Sequence, residues 1–422
     1  MLDRFGFNAL AFKPFRTFFL GNFVGNSAWF VFNAGFGWLV LVLTGSAATV
    51  GLAFFVSGLP AMLLTLHAGL LTDRFGARPL VAISFATTGI VMIAFGLLAL
   101  SMELPLWVIL LFALAQGTAM TLGAPGYVSI VNDLVPPGAV SSAVALNFVG
   151  ISVGRIAGGL IGGLLVATWP AAWAVVVAGL MQAAPAIPVW RLPPPRVERA
   201  AAASRAMLRP LLDAAGYAVR FPTLGVILLL SAFPGALGLS YNYLVPVAAR
   251  DLGIGGEGLG ALLAMAGAGG LIAGFLAETI MRRAGHGPAI FIGLWTSALG
   301  MVLFGVAPLV GLSIASMVLV GGGFVIYSAA SLSLIQALSP PSVRGRTTSV
   351  FALLYWGLMP IGGLLGGLVA EAAGARMAFA AAGLILFAVG LGAILLRRQI
   401  IAMRVARDGS TSADGVLIDL AA

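Results

Sequence analysis

Asn22, Asn26, Trp29 and Asn33 recur at i, i+4, i+7 and i+11 in an otherwise apolar stretch. At about 100° per residue this spacing predicts one face of a helix, with the four side chains within roughly 60° of one another. The chemistry on offer is hydrogen-bonded recognition. Three amides on one stripe in hydrocarbon are costly unless they face a wet cavity or the polar groups of another helix, and the spacing suits either. Gln116, Met120, Gly123 and Tyr127 repeat the same spacing further along, and Tyr241, Asn242, Tyr243 and Tyr327 are further candidates, for a cavity or for interfacial anchoring. Arg155 is the charged residue deepest within an apolar run. A guanidinium there must face the protein interior or water, either as a functional charge or as a device that fixes helix contacts.

Chemistry of other kinds has no residues to carry it. There is no cysteine, hence no disulfide, thiolate site or cysteine nucleophile. Phosphate loops, paired metal ligands and nucleophile triads are missing, so an enzyme or an ATP-driven pump within this chain is disfavoured and no cofactor is expected. No aspartate or glutamate lies in the middle of an apolar run, which leaves the coupling ion open, with protons as the candidate. His67, a lone histidine beside a charged loop, reads as structural.

The elements that must position these residues follow from composition. The chain has 422 residues, 61% hydrophobic and 8% charged, whereas soluble domains carry about 25% charged residues. Apolar segments run over 17–43, 48–71, 79–101, 105–130, 141–168, 170–190, 222–248, 257–281, 287–308, 311–336, 346–371 and 376–396. Each reaches the roughly 20 residues that cross a bilayer as a helix, and none has the alternation of a barrel strand. The expected fold is therefore an all-α membrane protein with twelve transmembrane helices. The segment before Thr17 is short and mixed, so the first helix is expected to be retained.

With the N-terminus inside, nineteen basic residues fall on the cytoplasmic side and only Arg250 and Arg376 fall outside. This positive-inside bias explains the net charge of +9 as topology plus attraction to anionic lipid, without nucleic acid. Residues 191–220 hold Pro193, Pro194 and Pro195, six arginines and no apolar span, and read as a cytoplasmic linker. The expected organisation is a six-helix bundle over 1–190, the linker, a second bundle over 221–397, and a cytoplasmic tail over 398–422. The halves repeat. Leu134-Val-Pro-Pro137 recurs as Leu338-Ser-Pro-Pro341, and Gly158, Gly159, Gly162 and Gly163 recur as Gly362, Gly363, Gly366 and Gly367. Two bundles related about the membrane normal are a known transporter architecture. Gly154, Gly158, Gly162, Gly362 and Gly366 give small-xxx-small spacings suited to close helix packing.

Gly69-Leu-Leu-Thr-Asp-Arg-Phe-Gly-Ala-Arg78 joins the second and third spans on the cytoplasmic side. Gly69 is expected to allow close helix approach, Gly76 to form a turn, and Asp73, Arg74 and Arg78 to form a compact charged cluster. With this loop, the twelve spans and the repeat, the chain resembles the major facilitator superfamily. The resemblance implies that Asp73 helps to latch the cytoplasmic ends of the halves, with Asp133 and Arg346 where its partners would be, and that helices 1, 4, 7 and 10 surround a central cavity. Gly154 to Gly163 looks like the superfamily's antiporter motif, with Gly159 in place of the usual proline. The run from Asp133 through Asn147 to Arg155 is similar to the branch that includes the enterobactin exporters.

The expected function is a secondary transporter of the bacterial inner membrane, working as a monomer, that exports an amphipathic or hydrophobic, siderophore-like or drug-like small molecule by alternating access. The alternatives are an importer or uniporter of a small solute, and a non-transporting sensor or scaffold with the same fold. The arginine asymmetry places both termini and the linker in the cytoplasm. Reporter fusions at residue 205 and at the C-terminus should both report cytoplasmic locations, and an external signal from either overturns the topology.

Overall fold

A computed structural model describes residues 8–193, 221–340, 343–396, 399–405, 411–413 and 416–417. Arg4, most of the linker, Arg397, Arg398 and Arg407 lie outside the described residues. Within them, twelve helices are long and apolar enough to cross a membrane. They are α1 (Lys13–Thr44), α2 (Ala47–Phe75), α3 (Ala77–Ser101), α4 (Leu106–Leu134), α5 (Val140–Thr168), α6 (Ala171–Trp190), α7 (Pro222–Asp251), α8 (Gly255–Ala284), α9 (His286–Val306), α10 (Val310–Leu338), α11 (Arg344–Ala373) and α12 (Ala375–Leu396). The fold is all-α, as expected. Large apolar side chains such as Phe275 (70% exposed) and Leu396 (73%) point outward, an arrangement that suits hydrocarbon rather than water.

The chain forms two compact units, one of residues 1–205 with 245–264, the other of 206–244 with 265–422. In the first unit α1 ends at Gly45, whose φ of +68° lets its N–H reach the Leu41 carbonyl. Ser46 then caps α2, its Oγ accepting from the Thr49 N–H at 3.1 Å. Helices α3 and α6 meet at glycines: a Cβ on Gly89 would lie 2.6 Å from the Gly179 carbonyl oxygen, and one on Gly96 2.6 Å from Val176. Phe36, Phe54, Phe95 and Phe112 fill the core between α1, α2, α3 and α4, with the Phe95 and Phe112 rings stacked at 3.8 Å.

Gly158 abuts the Ser27 carbonyl and Phe30, and Gly162 abuts Ala34 and Val31, so α5 lies directly on α1. Gly159 and Gly163 pack on Leu263 and Gly260 at the start of α8, and Gly256 packs on Ala167. That approach is why 245–264 joins the first unit rather than the residues that follow the linker.

In the second unit Gly362 abuts the Ala236 carbonyl and Gly366 abuts Leu244. Here two spans that the sequence presents as continuous are interrupted. In α7, Pro234–Gly238 form a π-helical turn closed by the Leu239 N–H on the Pro234 carbonyl at 2.8 Å. Helix α11 breaks between Tyr355 and Met359, and Gly235 seats the turn of α7 against the Leu354 and Tyr355 carbonyls. Arg376 donates to the Gly305 and Ala307 carbonyls and so closes the end of α9. After α12, the short helix α13 (Gln399–Ala402) leads into three strands, β1 (Met403–Val405), β2 (Thr411–Ala413) and β3 (Val416–Leu417), paired antiparallel in that order. Ile400 and Met403 are buried, and Gly287 lets the Ile400 backbone lie against α9.

Gly158→Leu should displace α1 from α5 at a cost of about 1–3 kcal/mol or more, because the obstructing atoms are backbone. Gly311→Leu, where a Cβ meets open space, should be nearly neutral. Fluorescence-detected size exclusion with a thermal ramp checks both, and equal stability of the two variants overturns the packing assignment.

Candidate functional site

The amides of α1 do not share one environment. Asn22 Nδ2 donates to Asn147 Oδ1 on α5 at 2.6 Å, while Asn26 Nδ2 and Asn33 Nδ2 turn back to the carbonyls of Asn22 (2.9 Å) and Trp29 (2.6 Å) on their own helix. Asn22, Asn26 and Trp29 are half-buried, whereas Asn33 is 1% exposed. Trp29 meets the Phe30 ring edge-on at 5.0 Å. Arg155, half-buried on α5, holds its guanidinium 5.0 Å from the centre of that same Phe30 ring. A cation on an aromatic face is partly compensated for leaving water, which makes a guanidinium tolerable at this depth. Gly154 lies between, close to Asn26 and Ser27. The seam of α1 and α5 thus carries Asn22, Asn147, Asn26 and Arg155 in order along the helices.

Asn147 was not among the candidate residues. It was visible as an amide inside an apolar span, but its pairing with Asn22 spans 125 residues of sequence and no local pattern announces it.

The candidates on other helices are more enclosed. Gln116 is 1% exposed and accepts from Ser57 Oγ at 2.8 Å, tying α4 to α2. Tyr127 is half-buried, edge-on to Phe85 of α3 at 5.3 Å. Tyr241 is buried and stacks on Phe324 at 6.2 Å, and Tyr327 is buried with its hydroxyl donating to Ser231 Oγ at 3.1 Å. Burial removes interfacial anchoring as the role of Tyr241 and Tyr327. Gln116, Tyr241 and Tyr327 hold helices together within their own units in this conformation, whereas Asn33 bonds only its own helix.

At the loop between α2 and α3, Gly76 adopts φ +85°, a value that favours glycine, and closes α2 with its N–H on the Thr72 carbonyl. Two expectations there are corrected. A Cβ on Gly69 would meet no atom within 4 Å, so Gly69 does not serve close approach here. Asp73, Arg74 and Arg78 diverge rather than cluster: Asp73 and Arg74 are exposed, Arg74 lies over Phe75, and Arg78 donates to the Leu192 carbonyl. Arg78 sits in the first turn of α3, which faces the end of α6, and it anchors the chain where the linker begins. Arg78 and Asp133 line a cavity of about 160 Å³ with Phe75, Gly76, Leu192 and Pro193. Arg346 lies in the first turn of α11, in the second unit. On α8, Glu278 pairs with Arg282 at 3.6 Å. No group of three or more His, Cys, Asp or Glu that could hold a metal occurs among the described residues.

A family model described as transmembrane secretion effector matches residues 5–417. The enterobactin exporter EntS of Shigella boydii serotype 18 and that of Escherichia coli strain HS are each 25% identical to this chain over 340 residues, 80% of this chain and 80% of theirs. Among solved structures, the nucleoside transporter NupG superposes with a TM-score of 0.74 at 14% identity, over 91% of this chain and 99% of its own. A bacterial homologue of the human lysosomal transporter Spinster gives 0.73 at 17% identity (91% and 96%), and a bacterial homologue of the iron transporter ferroportin gives 0.66 at 17% (90% and 98%). These structural likenesses show the fold.

The two half-buried asparagines of α1 should separate on substitution. Asn22→Ala breaks a bond between helices and should lower stability by about 0.6–1.7 kcal/mol, while Asn26→Ala loses only a bond within α1 and should leave the thermal midpoint unchanged. A larger loss for Asn26→Ala in a thermal-shift measurement overturns this assignment.

Proposed function

The chain belongs to the transmembrane secretion effector family of the major facilitator superfamily, a membrane transporter and not an enzyme, and we propose that it exports a neutral or anionic amphipathic small molecule across the bacterial inner membrane. The observation that carries the substrate class is the α1–α5 seam, where half-buried amides lead to Arg155 on the Phe30 ring. Amides offer hydrogen bonds to polar parts of a solute, and the apolar helices around them suit its hydrocarbon parts. Arg155 attracts negative charge, and no mid-membrane carboxylate offsets the desolvation of a cation. The direction is supported by the similarity to the enterobactin exporters.

In this reading Asn22, Asn26, Trp29, Arg155 and Tyr127 contribute to solute binding, with Asn33, Gln116, Tyr241 and Tyr327 supporting the helices that carry them. Gly69, Asp73, Arg74, Gly76, Arg78, Asp133 and Arg346 serve gating at the cytoplasmic ends, in an alternating-access cycle driven by protons. Arg78 ties the gating loop to the start of the linker through the Leu192 carbonyl, so that motion of one is felt by the other. The chain works as a monomer with anionic lipid along its arginine-rich inner face.

Everted vesicles with an imposed proton gradient test the reading. They should accumulate the anionic amphiphile 1-anilinonaphthalene-8-sulfonate in a manner abolished by an uncoupler. Arg155→Gln should reduce that flux about tenfold or more, and Asp73→Asn should reduce flux while leaving equilibrium binding intact. Robust transport of a permanent cation such as tetraphenylphosphonium overturns the charge argument, and an equal fall of binding and flux in Asp73→Asn overturns the gating role.

A further inference from the structure

We propose that residues 245–264, the end of α7 and the start of α8, form a movable closure over the ends of α1, α2 and α5 that the arginine asymmetry places outside, and that Arg250 is the latch holding it in place. The inference deepens the transport reading and rests on it: an exported solute leaves past these ends, and parting of the hairpin lets it out.

The rest of α7 and α8 belongs to the second unit, while 245–264 belongs to the first. Two units that move against each other cannot both keep these helices, so the hairpin is where the attachment must give. It is built to move as one piece. Gly253 (φ +68°) donates its N–H to the Arg250 carbonyl at 2.9 Å, and the Ile254 N–H bonds the Ala249 carbonyl at 3.0 Å, which ties the turn to the end of α7. Its seat is made of small residues. A Cβ on Gly163 would strike the Gly260 backbone, and one on Gly256 the backbone of Ala167. Where backbone meets backbone no side chain has to be withdrawn for the surfaces to part. On α1, Gly37 receives the Pro246 ring, where an added Cβ would lie 2.7 Å away.

The polar tie is Arg250. Its Nη1 donates to the Gly45 carbonyl at 3.1 Å, while Nε and Nη2 donate to Asp251 Oδ1 at 3.1 and 3.0 Å. Gly45 follows the last turn of α1, where carbonyls without helical partners attract a cation. Asp251 is a positioning residue: by holding two donors of the planar fork it aims the third at Gly45. The other outer arginine, Arg376, is spent within the second unit on the end of α9, whereas Arg250 reaches across 205 residues of sequence to the turn before α2. The Arg250 side chain is 42% exposed, so water replaces the Gly45 carbonyl when the hairpin swings away. A tie of that kind weights the equilibrium between docked and parted hairpin without freezing it.

The chain contains no cysteine, so one introduced thiol is the sole site for a maleimide. Ala249 is 0% exposed and lies three residues beyond Pro246, within about 60° of the face that meets Gly37. In intact cells producing the full-length protein, a membrane-impermeant maleimide should label Ala249→Cys slowly. Adding Arg250→Ala should speed labelling about threefold to fivefold, the effect of one partly exposed charged tie. Gly163→Leu, which sets a side chain against the Gly256 and Gly260 backbone, should speed it as well and so shows that the probe reports parting of the hairpin. Ala298→Cys, buried on α9 in the second unit, should stay unlabelled with either change. Acceleration by Gly163→Leu but not by Arg250→Ala overturns the latch, and acceleration by neither overturns the closure as well. Equal acceleration at Ala298→Cys marks a general loss of fold and also overturns the latch. Vesicle flux is read separately: faster labelling in a chain that moves no solute keeps the latch and removes the transport reading, and flux with labelling unchanged by Arg250→Ala does the reverse.

Discussion

A backbone amide that enters hydrocarbon must find its partner inside its own helix, and the rest of this molecule is organised around that requirement. It makes every span a helix and moves the problem of association from backbone to side chains. With lipid as apolar as leucine, helices gain little by burying leucine against one another, and close van der Waals approach becomes the means of adhesion. The glycines act in that sense. Gly89 on Gly179, Gly158 on the Ser27 carbonyl, Gly163 on Gly260 and Gly293 on the Tyr327 backbone are places where no side chain separates two helices. Many leucines, by contrast, face outward, among them Leu63, Leu229 and Leu396.

The same requirement governs the polar side chains. Most hydroxyls inside the spans bond the carbonyl one turn back, as in Thr72 to Ala68, Thr121 to Gly117 and Ser231 to Ile227, so that they cost little and recognise nothing. A polar group that instead reaches another helix, or lies half-open beside an aromatic ring, is the exception that carries information. Asn22 with Asn147 and Arg155 on Phe30 are of this kind, and both occur on the seam between α1 and α5.

The two halves share a sequence repeat but not a common backbone. Helix α1 runs unbroken from Lys13 to Thr44 and α5 from Val140 to Thr168, while α7 and α11 are each interrupted. Pro234 withholds an N–H from α7, and the resulting turn nests its Gly235 against the carbonyls at the break in α11. The seam of α1 and α5 holds the Asn22–Asn147 bond and Arg155 on Phe30, while stacked aromatics join α7 and α11 to α10, Tyr241 on Phe324 and Tyr327 on Tyr355. A repeated fold has acquired one seam suited to polar recognition and one built as an aromatic core.

Composition and span length alone determined the twelve helices, and the glycine spacings of α5 and α11 predict faces suited to close packing, because both are properties of local sequence. Positive φ at Gly76 was legible for the same reason. Only the tertiary structure decided the fate of the polar stripe. Asn22, Asn26 and Asn33 share a face and a residue type, yet Asn22 bonds another helix, Asn26 is half-open and Asn33 is enclosed. The difference lies in which helix stands opposite each turn. The divergence of Asp73, Arg74 and Arg78 was hidden likewise, since the partner of Arg78, the Leu192 carbonyl, is 114 residues away and is a backbone atom that any sequence would supply. Spacing along one helix determines which side chains share a face; what that face meets depends on the packing of helices distant in sequence, and that the three-dimensional fold alone decides.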